Sequence, residues 1–262
     1  MKKNVLAMGL ALTMALGLTA CGSSSNGSAS SGAASGSASQ NDASASAPAV
    51  DKLVLGTSAD YPPFEFHVLQ DGEDKIVGID VFLGEQIAED MGAEFEVVHM
   101  DFNNLFTLLN QGQCDMVIAA AEIDEEGVRP AAADYSDGYY SDLPPKIVVR
   151  AGDEGNYTSL EDFAGKAVGA QTATTKETIV TKYMTGADLV SMSSVVDLVN
   201  NLVYGKCDAL VLDGAVADQY LASNSDLAAV DIDMSSYVEP YRVWVAKGDP
   251  KEIGRASCRE RV

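Results

Sequence analysis

Three polar positions of this sequence are placed to hold charged groups. Asp213 ends the apolar run "ALVLD", so its carboxylate comes at the end of a buried strand. Thr174 and Thr175 open a helix after "VGAQ", and the free N–H groups and dipole of a helix start favour an anion. Each position has a structural alternative, because Asp213 could be a solvated loop acid or a helix cap, and both threonines could be simple N-caps. The residue types indicate binding of charged groups.

Motifs for metal or nucleophilic chemistry are missing from the sequence. His67 and His99 do not have a metal-ligand spacing, and there is no G-x-S-x-G, phosphate loop or Cys-x-x-Cys. We therefore expect no metal and no cofactor. The formal net charge is −22, which argues against a nucleic acid as partner.

A phrase that occurs twice indicates the elements that position these residues. "GQCDMVIAA" begins at Gly112 and "GKCDALVLD" at Gly205. Each follows an amphipathic helix, one with Asp101 as predicted N-cap and the other with Ser193 or Ser194. In each copy the glycine ends the helix, and the apolar run after it is typical of a strand buried on both faces.

The segments before each copy extend the repeat to a larger unit. The strands "EFEVVHM" and "DLVSM" precede the two helices, and each is itself preceded by a helix, from Asp80 to Met91 or from about Thr174 to Tyr183. Before those come the strands "KLVLGTS" and "KAVGAQ", and "QDGEDK" around Gly72 predicts a hairpin turn. Right-handed crossovers then predict an α/β fold of two mainly parallel lobes, whose strand ends face each other across a cleft.

The two ends of the chain differ in composition from the rest. Residues 1–20 with Cys21 resemble a bacterial lipoprotein signal peptide, and this implies a lipid on Cys21 that anchors the protein to the membrane. The alternative is an ordinary secretory leader with an incidental cysteine. Residues 21–49 have the composition of a flexible tether. Residues 253–262 carry three arginines and break the acidic pattern before them, so we interpret them as a non-native tail after a truncated end.

Of the four cysteines, Cys21 is the predicted lipid site and Cys258 lies in the tail, which leaves Cys114 and Cys207. They occupy the same point of the two repeated phrases, which predicts that they lie in separate lobes and are unpaired.

At the level of whole segments, the chain resembles the polar amino-acid binding proteins of ABC importers. The matching segments follow in order from about Lys52 to Pro250 and include "GTSADYPPFEF", "IVGIDVFLGEQIAEDMG", "MDFNNLFTLLNQGQCDMVIAA", "ADYSDGYY", "SLEDFAGKAVGAQTATT", "KCDALVLDGAVADQY" and "VAKGDP". The resemblance implies a type II periplasmic-binding-protein fold, with lobe 1 at residues 50–145 plus 237–252 and lobe 2 at 146–236.

The same resemblance implies a function and partners. An amino acid would close the two lobes about a two-stranded hinge. The closed, monomeric protein, held at the extracytoplasmic face of the cytoplasmic membrane, would dock there on an ABC permease. The crossing strands would be Lys146 to Arg150 and Tyr237 to Val245. The alternatives are a cyclic-acid dehydratase-like enzyme on the same fold, with Glu122 as general acid, and a sensor domain. The sequence does not name the amino acid.

Several ligand contacts are implied by the resemblance. Asp213 would take the α-ammonium, and Thr174 and Thr175 would contact the carboxylate. Tyr61 and Phe102 match aromatic positions that sandwich the ligand side chain, although each could be an ordinary core aromatic.

Four further positions follow the first-lobe strands. Ala119 and Ala120 match positions that present backbone oxygens. Glu122 stands where the family has a Ser or Thr hydroxyl, and Ser58 stands where it often has Asp. The two departures could compensate and supply a second anion for the ammonium, or Glu122 could point to solvent.

The family arginine that pairs with the carboxylate is harder to locate. Counted from "MVIAA" its position is Gly127, and counted back from "ADYS" it is Arg129. We assign Arg129, although Pro130 disfavours a helical conformation there. The alternative is that backbone amides alone hold the carboxylate.

Overall fold

The protein is described here by a computed structural model that covers residues 51–124 and 126–248. The predicted signal peptide, Cys21, the tether and the tail at residues 253–262 lie outside the described residues. Within the described part of the chain, no helix has the length and apolar character needed to cross a membrane.

The described strands and helices alternate along most of the chain. The strands are β1 (Lys52–Thr57), β2 (Asp60–Tyr61), β3 (Glu65–Gln70), β4 (Glu73–Val77), β5 (Glu94–His99), β6 (Met116–Val117), β7 (Ala133–Tyr140), β8 (Lys146–Arg150), β9 (Ala167–Gln171), β10 (Asp188–Met192), β11 (Ala209–Leu212), β12 (Leu227–Ala229) and β13 (Tyr241–Ala246). The helices are α1 (Ile79–Met91), α2 (Leu105–Asn110), α3 (Val128–Ala132), α4 (Thr175–Thr178), α5 (Val195–Val203) and α6 (Gly214–Ser223). A π-helical turn, Ile179–Tyr183, continues α4.

Two five-stranded sheets with the same layout form the two lobes. The first has the order β5-β1-β6-β13-β7 and the second β10-β9-β11-β8-β12. In each, three strands are parallel, and the fourth runs antiparallel to its neighbours. The prediction of two mainly parallel α/β lobes is therefore confirmed. A third sheet, β2-β3-β4, contains the predicted hairpin, whose turn residues Asp71 and Gly72 both have positive φ.

The repeated phrase connects neighbouring strands in each lobe. The Asp115 carboxylate accepts a hydrogen bond from the Val54 N–H at 2.9 Å, and the Asp115 N–H donates back to the Val54 carbonyl. Asp208 makes the same pair of bonds with Ala167 in the second lobe. Each aspartate thus fixes the third strand of its βαβαβ unit against the first, which explains why both copies contain it.

The helices before the repeated phrase end as predicted but begin differently. Gly112 and Gly205 have φ of 68° and 69°, the left-handed conformation that favours glycine after a helix. Ser194 accepts a hydrogen bond from a backbone N–H in the first turn of α5, as predicted for a cap. Asp101 holds the predicted N-cap position, but it precedes a 3-10 turn, Phe102–Asn104, that leads into α2, and its side chain makes no capping bond.

The predicted positions of the crossing strands are also wrong. Lys146 to Arg150 forms β8 inside the second sheet, and most of Tyr237 to Val245 belongs to β13 inside the first. The chain instead passes between the sheets at residues 141–145 and 230–240. The reason is that β8 pairs antiparallel with β11 and β12 in the second sheet, and β13 pairs antiparallel with β6 and β7 in the first.

The first crossing segment fixes the start of α6. The Asp142 carboxylate accepts a hydrogen bond from the Tyr241 hydroxyl at 2.8 Å, which joins this segment to β13. Gly214 packs against it so closely that an added Cβ would lie 2.6 Å from the Leu143 Cβ. Asp213, which directly precedes α6, is therefore held at a fixed place beside the crossing.

Cys114 and Cys207 are both buried and both free, as predicted. They belong to different hydrophobic clusters.

The close packing around Gly169 in β9 gives a stability prediction. A Cβ at this position would lie 2.5 Å from Leu210 Cδ2 and 2.9 Å from Leu198 Cδ2. We expect Gly169→Ala to lower the free energy of unfolding by about 1–3 kcal/mol, measured by chemical denaturation, because the core must shift to admit the methyl group. The control is Gly155→Ala, where an added Cβ meets nothing within 4 Å and stability should hardly change. Equal denaturation midpoints for the two variants would contradict this packing.

Candidate functional site

The strand ends of the two lobes meet around a cavity of about 10 Å³. Nine of the ten sequence-predicted site residues line it, namely Ser58, Tyr61, Phe102, Ala119, Ala120, Glu122, Arg129, Thr174 and Asp213. Three residues that were not predicted also line it, namely Glu65, Gln171 and Lys176. A single water molecule needs about 10–15 Å³. The side chains themselves therefore fill most of the space between the lobes.

Asp213 is buried and its side chain faces the other lobe. Although it stands at the N-cap position of α6, its carboxylate makes no capping bond and is only 4% exposed. One carboxylate oxygen accepts a 2.5 Å hydrogen bond from the Tyr61 hydroxyl, and the other pairs with the Lys176 ammonium. The alternatives of a helix cap and of a solvated loop acid are both wrong.

Lys176 is the central cation of the site. It lies in the first turn of α4 and is only 3% exposed. Its ammonium bonds Glu122 at 2.9 Å and Asp213 on its other side, and lies 3.1 Å from the Thr175 hydroxyl. Burial opposes the charge, but the two carboxylates outweigh burial and raise the pKa of Lys176 above its usual value. A charged ammonium thus joins an acid from the first lobe to an acid from the second.

Glu122 follows β6 and points into the cleft. Its side chain is buried, so the alternative of a solvent-facing Glu122 is wrong. Besides Lys176, it accepts a hydrogen bond from the Thr175 hydroxyl. Thr175 therefore does not line the cavity, but its hydroxyl holds the Glu122 side chain that does.

Arg129 lies in a helix, contrary to the expectation from Pro130. The Asp124 carboxylate accepts hydrogen bonds from the backbone N–H groups of Val128 at 2.6 Å and Arg129 at 2.8 Å, and so starts α3. Pro130 comes within the first turn, where the missing N–H has no helical partner to lose. This local cap outweighs the restriction that Pro130 places on its neighbour.

The Arg129 guanidinium also joins the two lobes. It donates to the Glu122 carbonyl of its own lobe and to the Ala173 carbonyl of the other, both at 2.6 Å. Its carbon lies 5.1 Å from the centre of the Phe102 ring, so that ring supports the guanidinium by a cation–π contact. Burial lowers the pKa of Arg129, but a guanidinium remains charged in proteins.

The remaining predicted residues shape the edges of the site. The Thr174 hydroxyl donates to the Gln171 carbonyl at 2.6 Å, and the Ser58 hydroxyl to Asp60 at 3.4 Å. Ala119 and Ala120 are buried after β6.

Glu65 is a buried carboxyl that sequence reasoning missed. It begins β3, is 1% exposed and shares a hydrogen bond with the Asp80 carboxylate. Its second oxygen has no hydrogen-bond partner among the described residues. Burial, with Asp80 adding to it, raises the pKa of Glu65 well above its usual value. We infer that the free site holds Glu65 in its neutral form.

Asp80 is the better satisfied member of this pair. It accepts hydrogen bonds from the Ala120 N–H at 2.7 Å and the Tyr139 hydroxyl at 2.8 Å. Burial nevertheless raises the pKa of Asp80 to about 6.

The described residues contain no group of three or more His, Cys, Asp or Glu side chains that could hold a metal ion.

Comparison with known proteins gives one family. The family model described as bacterial extracellular solute-binding proteins, family 3, matches residues 53–253. The arginine-binding extracellular protein ArtP of Bacillus subtilis is 36% identical over 231 residues, which cover 87% of this chain and 79% of that protein. The L-arginine-binding protein of Pseudomonas aeruginosa is 26% identical, over 79% of this chain and 81% of that protein.

A solved structure gives the same result. The amino acid ABC transporter substrate-binding protein AbpA from Streptococcus pneumoniae, bound to L-arginine, matches with a TM-score of 0.73 and 30% identity. The match covers 79% of this chain and 87% of AbpA.

The raised pKa of Asp80 predicts a pH dependence of stability. An unfolded Asp titrates near about 3.9. Between that pH and about 6 the unfolded chain ionises while Asp80 in the folded protein stays protonated, so stability is lost as pH rises through this window. The loss is roughly 3 kcal/mol by this linkage.

Asp80→Asn removes the titration and keeps an oxygen that can accept from the Ala120 N–H. We expect the free energy of unfolding of the unsubstituted protein, relative to the variant, to fall by this amount between about pH 4 and pH 6. Urea denaturation across the pH range measures it. Parallel pH profiles of the two proteins would show that Asp80 titrates normally.

Proposed function

We propose that this chain, which belongs to the bacterial extracellular solute-binding proteins of family 3, is the lipid-anchored receptor of an ABC importer. Its ligand is a cationic amino acid, with arginine preferred. It is an amino-acid-binding ABC transporter substrate-binding protein, as the proteins it matches are, and it is not an enzyme. The observation that carries the proposal is the set of buried charges that meets between the lobes.

Two carboxylates supply a place for the ligand's α-ammonium. Asp213 and Glu122 approach the same point from opposite lobes, and a single ammonium, that of Lys176, already lies between them. A buried ammonium that lacked such partners would cost several kcal/mol. We therefore assign the ammonium to this pair of acids, with Asp213 as its direct partner.

The ligand's carboxylate is assigned to Arg129 and the start of α4. Arg129 carries a full positive charge in a buried place, and its five N–H donors exceed the two bonds that it makes to carbonyl oxygens. Thr174 lines the same cavity, and α4 begins directly after it at Thr175, so the first N–H groups of the helix add to the field. Partial charges alone would be a weaker partner for a desolvated carboxylate than a guanidinium.

The acids at the cavity favour a cationic side chain. Glu122 and Asp213 line it and balance two cations, Arg129 and Lys176. Glu65, which is neutral in the free site, has Asp80 directly behind it and can ionise when a cation binds beside it. The Glu65 oxygen without a partner is suited to accept from a guanidinium or an ammonium. Relatives named as arginine-binding proteins agree with this choice of ligand.

The anchoring and delivery steps rest on sequence and family. The segment that ends in Cys21 has the pattern of a lipoprotein signal, which would hold the receptor at the outer face of the cytoplasmic membrane. Members of this family are extracellular, and an ABC permease would receive the amino acid from the closed protein. We propose that the receptor acts as a monomer.

Titration calorimetry with L-arginine tests the proposal. We expect saturable binding of one arginine per chain and recovery of the arginine unchanged by chromatography after incubation. A ligand present at about a hundred times its dissociation constant should stabilise the fold by roughly 2.7 kcal/mol, seen as a rise in melting temperature. No binding of any amino acid in a panel of the twenty, or chemical conversion of arginine, would contradict the proposal.

The variant Glu65→Gln tests whether Glu65 contacts the side chain of the ligand, because it keeps the size of the residue and removes its acid. We expect the unsubstituted protein to prefer L-arginine over L-glutamine and the variant to lose most of that preference. A preference unchanged by the substitution would remove Glu65 from the site for the side chain while leaving amino-acid binding intact.

A further inference from the structure

Lys176 occupies the position that the proposed function gives to the ligand's α-ammonium. Its ammonium contacts Glu122 at 2.9 Å and pairs with Asp213 on the other side. Both the lysine and the ligand present a primary ammonium group, so the same pair of carboxylates satisfies either. The cavity beside it holds about 10 Å³, too little for an amino acid, and so an amino acid fits there only after the side chains or the lobes move.

We propose that Lys176 is a tethered competitor for the ligand's α-ammonium, so that an amino acid binds by displacing the lysine from Asp213. The proposal rests on the amino-acid binding proposed above and names the residue that sets its affinity. Because the lysine is attached to the protein, it competes at a constant effective concentration. The measured dissociation constant is the intrinsic one divided by the fraction of time that the lysine leaves the site free.

The contacts of Lys176 show how displacement can occur without leaving a charge unpaired. When a ligand ammonium takes its place at Asp213, Lys176 keeps Glu122 and the nearby Thr175 hydroxyl. The Tyr61 hydroxyl continues to donate to Asp213. The exchange therefore replaces one ammonium by another at Asp213 and changes little else in the charge balance.

The same contacts make Lys176 variants suitable for a test. Without the lysine, Asp213 still has the Tyr61 hydroxyl and Glu122 still has the Thr175 hydroxyl as hydrogen-bond donors. Lys176→Met keeps the unbranched stem and removes the charge. Lys176→Gln retains a donor for either acid, and serves if the methionine variant does not fold.

The experiment measures the dissociation constant of L-arginine by calorimetry for the unsubstituted protein and both variants. We expect the variants to bind at least about tenfold more tightly, because no tethered ammonium has to leave first. The control is Lys52→Met, which removes an exposed lysine that pairs with Glu96 of β5. Lys52 begins β1, at the end of the strand away from the site, so its loss should leave the dissociation constant unchanged. Unchanged or weaker binding in the Lys176 variants would overturn the proposal, since a lysine that held the ligand's carboxylate or only the fold would give those results.

The arginine analogue that lacks the α-ammonium gives a second readout. It has no group to compete with Lys176, so the Lys176 variants should bind it no better than the unsubstituted protein does. An equal gain for arginine and for the analogue would overturn competition as the cause and leave only a loosened cleft.

The outcomes also separate this proposal from the proposed function. Arginine binding that is equal in all proteins keeps the function and overturns the competitor. Binding that appears only in the Lys176 variants supports the competitor. Absence of binding in every protein overturns both.

Discussion

The buried charges between the two lobes are the constraint on which the rest of the structure depends. A charge removed from water is tolerated only when an opposite charge or strong hydrogen bonds replace the water. Here the Lys176 ammonium lies between Glu122 of the first lobe and Asp213 of the second, and the Arg129 guanidinium bonds carbonyl oxygens of both. These contacts hold the lobes together and at the same time are the groups that a zwitterion would engage. Closure of the lobes and recognition of the ligand therefore depend on the same buried charges.

The fold provides for these charges by repeating one βαβαβ unit. In each lobe the repeated phrase ends a helix with glycine and fixes the next strand by an aspartate, Asp115 or Asp208. The residues that follow these strands, Glu122 after β6 and Asp213 after β11, then arrive at facing sheet edges. The close contact of Gly214 with the crossing segment fixes the second of these acids relative to the passage between the lobes.

The sequence predicted the elements well because their signals are local. Strand and helix types follow from apolar periodicity, and the glycines after the helices from a conformation that other residues avoid. The crossing segments were misplaced because the ends of β8 and β13 are decided by strand pairing far away in the chain. Asp101 was found at its predicted N-cap position, but the chain starts that helix with a tighter 3-10 turn and the Asp101 side chain makes no capping bond.

The candidate site was predicted in its positions but not in its charge balance. Residues after buried strands and at the start of α4 were found, since parallel strands bring their ends to one edge. Lys176 was missed although it follows two predicted threonines, because a short helix turn does not reveal from sequence which side chain faces the cleft. Glu65 was missed because its burial depends on the small third sheet, and a buried, neutral carboxyl has no sequence signature. The charge states of both residues depend on the neighbouring acids, which only the structure brings together.

A crystal structure of the complex with L-arginine tests directly whether the ligand's ammonium replaces Lys176 at Asp213. We predict that the ligand's α-ammonium lies within hydrogen-bond distance of the Asp213 carboxylate, that the Lys176 ammonium has left Asp213 and remains beside Glu122, and that Arg129 contacts the ligand's carboxylate. A complex in which the Lys176 ammonium still lies between Glu122 and Asp213, with the ligand's ammonium held elsewhere, would contradict it.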